Sequence, residues 1–490
     1  MRMLTLPATW TQSRLFSMIR WCIYVLVTGI VGWQLGRMLA SPASDLVAPL
    51  VFMSACILIT LNHPLEGLLL ALILHPFINF FYLNIDLGAG IPSISLLRVT
   101  VVIVFTLILA RVATGQYGSL RLTWSDVFML LTTLGLGIAA IRGTTVTTYL
   151  QWLFDKFMTP YMIYYITKHL ITNRTALHRT LWATMLIGAY CGIYGIYTQT
   201  TGNILFEEGE LTGPLWYNEH LRIMRGLLDS PHVFGLVFSL AIPIDFYLLI
   251  KASTPGKKLL LGLALAVTIG GLFFTYKRTA WVATMVSFLV IMFFFPRFRR
   301  LFLVLLLLVT IIIVLYSDQI SDSAVVSQRL GEKADTLNGR LELWETAWQD
   351  WKQAPYFGYG LGGFFVKSSL KAIESHYLWL LVDAGLVGFA PYALIFIIIF
   401  KTSVRLFRAR VPAIFAEPDL VAVFWGTFAA YLVSLSTVVM NHELPHDLLF
   451  LLAGAIVGSQ EVFLNRQDGS RSKIEPRIQL RHANKGESTL

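Results

Sequence analysis

The sequence predicts an all-α, polytopic integral membrane protein of about 12–14 transmembrane helices, and three observations support this prediction. Hydrophobic residues make up 56% of the 490 positions, whereas charged residues make up only 13%. Soluble domains carry about 25% charged residues, so this chain has too little charge to cover a water-facing surface. Apolar runs of about 20 residues recur, which is the length a helix needs to cross roughly 30 Å of hydrocarbon. The polar residues gather in a few connections, and the longest of these predicts a large, partly helical outer loop.

The apolar runs are interpreted as helices because a backbone in lipid must satisfy its hydrogen bonds within its own segment. In chain order they lie near residues 18–38, 46–61, 65–83, 95–112, 125–142, 156–171, 180–199, 232–250, 257–274, 279–295, 299–316, 376–400, 419–438 and 444–462. Residues 1–463 are therefore predicted to form one membrane domain. Residues 464–490 are polar, basic and poor in aromatic side chains, which predicts a flexible cytoplasmic tail.

The distribution of lysine and arginine gives the orientation of these spans. Basic residues concentrate in alternate connections, which the positive-inside rule places in the cytoplasm. These connections lie at residues 168–179, 251–258, 297–300 and 401–410, and both termini belong with them. The net charge of +10 is thus mainly a topology signal and indicates no nucleic-acid partner. The loops at 200–231 and 317–375 fall on the opposite, periplasmic side, where we expect the chemistry.

Two short motifs bring charge to this outer side. In "RGLLDSPHVFG", Arg225 and His232 lie at the beginning of the span near 232–250. In "TYKRTAW", Lys277 and Arg278 occupy a connection of a few residues, against the positive-inside tendency. Binding of an anion would explain two adjacent cations at this position. Pairing with acidic residues of the outer loops is the alternative explanation.

The longest outer loop contains a helical motif and a glycine-rich motif. In "NGRLELWETAWQDW", Arg340 precedes an apolar face with three- and four-residue spacing, which predicts an amphipathic helix. The residues of this face are Leu341, Trp344, Trp348 and Trp351. The helix either lies in the membrane interface or covers a lipid-facing cleft. The glycines of "APYFGYGLGGF" predict tight turns, and the motif lacks the strand that would precede a nucleotide-binding loop.

His376 follows this loop directly, at the start of a span in "KAIESHYLWLLVDAGLVGF". An imidazole in this position is often structural, but its ordinary pKa of about 6.5 also suits proton transfer at neutral pH. The same side of the membrane carries Arg225, Arg278 and Arg340. Transfer from a lipid diphosphate needs such a set, because the cations stabilise the departing diphosphate and the imidazole takes a proton from the attacking hydroxyl.

In this order, the motifs resemble those of the bacterial O-antigen ligase and O-antigen polymerase superfamily over roughly residues 220–400. The resemblance implies a metal-independent, inverting membrane glycosyltransferase without a cofactor. It implies a donor glycan on undecaprenyl diphosphate at the periplasmic face of the inner membrane. The acceptor hydroxyl would belong to lipid A–core in lipopolysaccharide ligation, or to another lipid-linked repeat in O-antigen or exopolysaccharide polymerisation. Other polysaccharide-assembly proteins are candidate partners.

The resemblance also assigns roles to individual residues. It makes His376 the catalytic base. The diphosphate-binding residues would be Arg225, Arg278, Arg340 and Lys277.

Two departures from the family pattern bear on these roles. This chain has Lys277 where the family commonly has serine, and Tyr377 where it commonly has asparagine. The first departure concerns how the diphosphate is held, and the second concerns the acceptor. The candidate glycan or acceptor residues are His232, Tyr377 and His442.

An intramembrane zinc protease is one alternative function. In "NHELPHD", the residues His442, Glu443 and His446 fit H-E-x-x-H, which places two zinc-binding histidines on one helical face. Pro445 argues against one helix that holds both histidines, because proline removes a backbone donor and clashes with the preceding turn. The segment also offers no comfortable third ligand.

A polysaccharide transporter or flippase is the other alternative. It would place acidic side chains inside the spans, for which Asp245 and Asp383 are candidates. It would also predict internal symmetry, and the two halves of the sequence look unlike each other.

Overall fold

The computed structural model describes most of the membrane domain. The described residues are 47–77, 84–85, 94–114, 122–143, 145–204, 216–218, 221–222, 224, 226–228, 230–295, 298–300, 303, 333–364, 373–409, 417–439 and 442–459. The predicted span 18–38, most of the predicted span 299–316 and the predicted tail 464–490 lie outside them.

Helices make up nearly all of the described structure. Their bounds are α1 Val47–Asn62, α2 Pro64–Leu74, α3 Leu96–Ala113, α4 Trp124–Ile141, α5 Val146–Leu153, α6 Thr159–Leu170, α7 Arg174–Thr201, α8 Pro231–Lys251, α9 Pro255–Phe274, α10 Arg278–Phe294, α11 Lys333–Gln353, α12 His376–Ala409, α13 Pro418–Leu435 and α14 443–459. A 3₁₀ turn at His75–Phe77 follows α2, and a π-helical turn at Phe154–Met158 joins α5 to α6. Two antiparallel strand pairs complete the set: β1 Asn84–Ile85 with β2 Ile94–Ser95, and β3 Trp216–Asn218 with β4 Leu221–Arg222.

The prediction of an all-α, polytopic membrane protein is confirmed. Seven helices of the described part are long and apolar enough to cross a membrane, and three shorter apolar helices accompany them. Twelve of the fourteen predicted spans coincide with a described helix or helical run, and α11 lies within the predicted outer loop. The total of about 12–14 spans stays a prediction, because two spans fall largely outside the described residues.

One predicted span is longer than the helix that the structure shows. The run at 65–83 was expected to be helical throughout, but α2 ends at Leu74. Pro76 follows within the 3₁₀ turn, and it cannot donate the backbone hydrogen bond that would continue an α-helix. Because α2 ends at Leu74, His75 lies at the outer end of the bundle.

Local sequence signals explain where many of the helices begin. Proline occupies one of the first two positions where its missing donor costs nothing, in α2, α6, α8, α9 and α13. Polar side chains at the N-cap accept a backbone N–H, namely those of Ser95, Asn173, Ser230 and Thr254. Among these caps, Ser230 fixes the end of α8 that lies at the outer site.

Helix α8 forms the centre of the bundle. It packs against α7, α9, α10 and α13, and its residues from Val233 to Leu248 are all buried. The surrounding helices expose large apolar side chains instead, such as Leu130, Leu260 and Phe293. Lipid would cover these exposed apolar side chains around the bundle, which is the distribution expected of a helical bundle in a bilayer.

The glycine-rich motif forms a segment, residues 354–364, that docks into a break in α12. Gly385 has φ = +63°, which divides α12 into residues 376–384 and 386–409. A Cβ at Gly385 would lie 2.3 Å from the carbonyl oxygen of Tyr356, so only glycine allows this approach. We call residues 354–364 the glycine segment.

Backbone hydrogen bonds join the glycine segment to both halves of α12 and to the end of α4. Three backbone N–H groups of the segment donate to backbone carbonyls: that of Tyr359 to Val382 at 3.1 Å, that of Gly360 to Asp383 at 2.9 Å, and that of Leu361 to Ala139 at 2.9 Å. In the other direction, Leu386 donates to Pro355 at 2.9 Å and Val387 to Tyr356 at 3.0 Å. The N–H groups that the helix break releases are thereby satisfied, as a backbone at membrane depth requires.

The side chain of Asp383 completes this attachment. It is completely buried and accepts the N–H of Gly362 at 2.8 Å and the N–H of Phe364 at 3.1 Å. Asp383 was considered as an intramembrane acid of a transporter, and the structure shows it in a structural contact.

Candidate functional site

A cavity of about 260 Å³ lies where four outer helix ends meet. The contributing elements are the beginnings of α8 and α10, the residues just before α12, and the end of α13. Its lining residues include His232, Thr279, Ile373, Glu374, Ser434 and Thr437. All four ends belong to the side that the lysine and arginine distribution predicts to be periplasmic. The cavity is therefore the candidate site.

Arg278 is the first residue of α10, and its neighbour Thr279 lines the cavity. The Lys277–Arg278 pair is half-buried, at the turn between α9 and α10. Within the described part of the chain, no carboxylate forms an ion pair with Arg278. The acidic residues of the loop at 200–231, which the alternative explanation requires, lie outside the described residues.

Arg340 reaches the cavity through an ion pair. Its Nε atom donates to the carboxylate of Glu374, which is a lining residue. The side chains remain 29% and 44% exposed, respectively, so water and ions reach both. The outer loop thus contributes a guanidinium to the same place as Arg278 and His232.

Helix α11, which carries Arg340, lies against the domain with part of its apolar face open. Ala347 is completely buried, whereas Leu341 and Trp348 are exposed. Trp351 packs against Trp348 with ring centroids 4.6 Å apart and donates its indole N–H to the carbonyl of Pro355 at 3.2 Å. The indole therefore connects α11 to the glycine segment.

His376 lies beneath the cavity and does not line it. It is the first residue of α12, is completely buried, and follows the lining residue Glu374 by two positions. Its imidazole is surrounded by rings, with centroids 5.5 Å from Trp379, 5.8 Å from Tyr392 and 6.3 Å from Phe157. Ile373 and Glu374 line the cavity, whereas the imidazole of His376 does not.

The remaining predicted residues fall in three different places. His232 lines the cavity, and its backbone N–H donates to the N-cap Ser230. Tyr377 is directed to α13, where its hydroxyl donates to the carbonyl of Leu432 at 2.9 Å. Arg225 lies outside the described residues.

His442 lies in a second polar cluster at the outer end of α14. Its ring meets that of His75 edge to face at 5.7 Å, and desolvation lowers the pKa of His442 to about 3. The carboxylate of Glu443 accepts a hydrogen bond from Nζ of Lys156 at 3.0 Å and lies 3.2 Å from Nε2 of His75. Nearby, Arg98 donates twice to Asp155, at 2.7 and 2.6 Å.

The H-E-x-x-H residues do not face one another as a zinc site would require. His442 precedes α14 and contacts His75, whereas His446 lies within the helix and bonds through Nδ1 to the hydroxyl of Tyr431. Glu443 is held by Lys156. In the described part of the chain, no group of three or more His, Cys, Asp or Glu residues is arranged to hold a metal ion.

Sequence reasoning missed several residues of this region. Glu374 was overlooked, although it stands two residues before His376 and is the partner of Arg340. The second cluster was missed because its members are far apart in sequence: Lys156 and Glu443 are separated by 287 positions. Their only sequence signal is an ionisable residue next to an apolar run.

Comparison with known proteins agrees with the motif order. Residues 263–393 match a family model described as O-antigen ligase. This range contains Lys277, Arg278, Arg340, Glu374 and His376. No curated protein matches the chain at a significant level.

Proposed function

From the O-antigen ligase match at residues 263–393, which confirms the resemblance to the O-antigen ligase and polymerase superfamily, we propose a reaction for this chain. The protein is an inverting glycosyltransferase that moves a glycan from undecaprenyl diphosphate to an acceptor hydroxyl. The reaction takes place at the periplasmic face of the bacterial inner membrane. Both chain termini lie in the cytoplasm.

One observation carries the proposal: the outer ends of α8, α10, α12 and α13 meet at a single cavity beside two arginines and above a histidine. Arg225, Arg278 and Arg340 bind the diphosphate of the donor, and Lys277 assists. Guanidinium groups suit this role because their planar donors match phosphate oxygens in pairs. The charge that develops on the departing diphosphate is stabilised by the same groups.

His376 is the general base of the proposed reaction. It removes the proton of the acceptor hydroxyl as the oxygen attacks the anomeric carbon and the diphosphate leaves from the opposite face. The bond to the acceptor forms and the bond to the diphosphate breaks, which inverts the anomeric configuration. The candidate acceptor contacts are His232, Tyr377 and His442.

The base becomes accessible when the donor displaces Glu374 from Arg340. A half-exposed ion pair contributes about 0–1 kcal/mol, whereas a diphosphate offers a guanidinium several charged oxygens. Exchange of partners frees Glu374 and the short segment that leads into α12, whose first residue is the completely buried His376. Binding of the donor and opening of the base are thereby coupled.

The deciding experiment is glycan transfer by purified protein in lipid nanodiscs, with an undecaprenyl diphosphate-linked glycan and an acceptor. His376→Ala should abolish transfer while the protein stays inserted and binds the donor. The matched control is His178→Ala, which changes an exposed histidine of α7. Wild-type transfer by His376→Ala would remove the proposed mechanism.

Coupling is tested by Glu374→Gln. Loss of the ion pair should lower the donor KM by up to about fivefold, since the pair contributes no more than about 1 kcal/mol. Glu345→Gln, an exposed change on α11, is the control. An unchanged or higher donor KM would contradict the partner exchange.

Ligase and polymerase differ in the acceptor, and a deletion strain separates them. Single repeats that remain attached to their acceptor indicate a lost polymerase. Long chains left on the carrier lipid indicate a lost ligase.

A further inference from the structure

His446 has no role in the reaction proposed above, yet the helical turn that carries it is held firmly beside the proposed base. Glu443 is fixed by Lys156 at 3.0 Å and by His75 at 3.2 Å. Lys156 belongs to the π-helical turn that joins α5 to α6. Irregular turns of this kind are frequent at functional sites, because they direct side chains that a regular helix could not place.

The same π-helical turn supplies the ring on which two imidazoles rest. Phe157 lies 6.3 Å from the ring of His376 and 6.2 Å from the ring of His446. His446 is three residues after Glu443, so the anchored carboxylate sets the position of its helical turn. Two imidazoles are in this way brought together, with ring centroids 5.8 Å apart.

The two nitrogens of His446 are in different situations. Nδ1 is bonded to the hydroxyl of Tyr431. Nε2 is buried and has no hydrogen-bond partner among the residues that the structure describes. Buried polar atoms in proteins are nearly always satisfied, so this nitrogen calls for a partner. The nearest imidazole, that of His376, can supply an N–H.

We propose that His446 is the positioning residue for His376, an inference that rests on the proposed function. Nδ1–H of His446 donates to Tyr431, which leaves Nε2 as an acceptor for an N–H of His376. This contact selects the tautomer of His376 whose other nitrogen is unprotonated and takes the acceptor proton. A base held by an oriented neighbour follows the same logic as the histidine of a catalytic triad.

The proton balance of the step is simple. The hydroxyl proton moves to the unprotonated nitrogen of His376, and the resulting positive charge is shared with His446 through the hydrogen bond. The proton then leaves from the same nitrogen, to the departing diphosphate or to water, which restores the starting tautomer. The other ionisable groups that face this pair are Lys156, His442, Glu443, Tyr392 and Tyr431.

The test compares His446→Phe with His446→Gln in the reconstituted transfer assay. His446→Phe keeps the ring packing and removes the acceptor, so kcat should fall about 10- to 100-fold while the donor KM stays within about twofold. The acid limb of the pH–rate profile should move to lower pH, because the protonated form of His376 loses its stabilising neighbour. In His446→Gln the amide oxygen can accept the N–H of His376, so both kcat and the position of the acid limb should be close to those of the wild type.

A matched control excludes a general effect of removing a buried histidine. His169→Gln changes an imidazole that packs against Tyr165 with ring centroids 4.4 Å apart, at the opposite end of α6. It should leave kcat and the pH–rate profile unchanged. Wild-type kcat and an unshifted acid limb in His446→Phe would overturn the inference and leave the role of His376 intact.

A second measurement keeps the inference testable if the wild type transfers no glycan, which would be a failure of the proposed function. In protein with ¹⁵N-labelled imidazoles, NMR should show Nε2 of His446 as an unprotonated, hydrogen-bonded nitrogen. The signal should change in His376→Phe. A protonated Nε2, or no response to that substitution, would refute the contact itself.

Discussion

Replacement of Asp383 should release the glycine segment, with a magnitude that follows from its two hydrogen bonds. The side chain is completely buried and accepts two backbone N–H groups, at 2.8 and 3.1 Å. Asp383→Asn retains one acceptor oxygen and turns an NH₂ group toward the second donor. One unsatisfied buried donor costs about 1–3 kcal/mol, and Asp383→Ala, which leaves two, should cost about 2–6 kcal/mol.

Hydrogen–deuterium exchange of peptides within residues 354–364 measures this loss directly. Each 1.4 kcal/mol corresponds to a tenfold change, so exchange should quicken roughly 5- to 140-fold in Asp383→Asn and at least roughly 30-fold in Asp383→Ala. Glu345→Gln makes the same chemical change on an exposed side chain and should have no effect, and peptides of α8 serve as the internal reference. Exchange at the wild-type rate in Asp383→Ala would refute the reasoning.

Three further outcomes are expected. Gly385→Ala should destabilise the protein in thermal unfolding by at least about 1–2 kcal/mol, because a Cβ would meet the carbonyl of Tyr356 at 2.3 Å and φ is +63°; an unchanged midpoint would contradict the fit. Arg278→Lys should reduce transfer by at least about tenfold, because an ammonium lacks the paired donors of a guanidinium, and full activity would mean that a point charge suffices. The hydrogen bond from Lys251 lowers the pKa of Glu417 from its ordinary 4.5, so the stability that this carboxylate contributes is complete above pH 4.5 and is lost as pH falls below it; thermal unfolding of Glu417→Gln should therefore be less sensitive to pH below 4.5 than that of the wild type, and equal sensitivity would rule the contribution out.

The membrane helices were predictable because the bilayer imposes a simple rule on sequence. A span must be long, apolar and internally hydrogen-bonded, so composition alone locates it. Start signals helped further, as with Pro231 at the beginning of α8 and Pro418 at the beginning of α13. The miss at α2 arose because hydropathy continues past Pro76 although the helix does not.

The convergence of the outer helix ends was only partly predictable. The predicted orientation placed Arg278, Arg340 and His376 on one side of the membrane, but it did not indicate how deeply each side chain is buried. His376 is completely buried, and rings from the π-helical turn, α12 and α14 surround it. Contacts of this kind depend on how distant helices pack, and no local pattern records them.

The way in which the glycine segment is bonded into α12 has a consequence for recombining this protein with its relatives. Backbone hydrogen bonds tie the glycine segment to the residues after the break, since Leu386 donates to Pro355 and Val387 donates to Tyr356. A chimera joined just before residue 376 would pair a segment from one parent with a helix break from the other. Junctions before residue 333 or after residue 387 keep both partners of these hydrogen bonds within one parent. Helix α11, the glycine segment and the first half of α12 should therefore be exchanged only together.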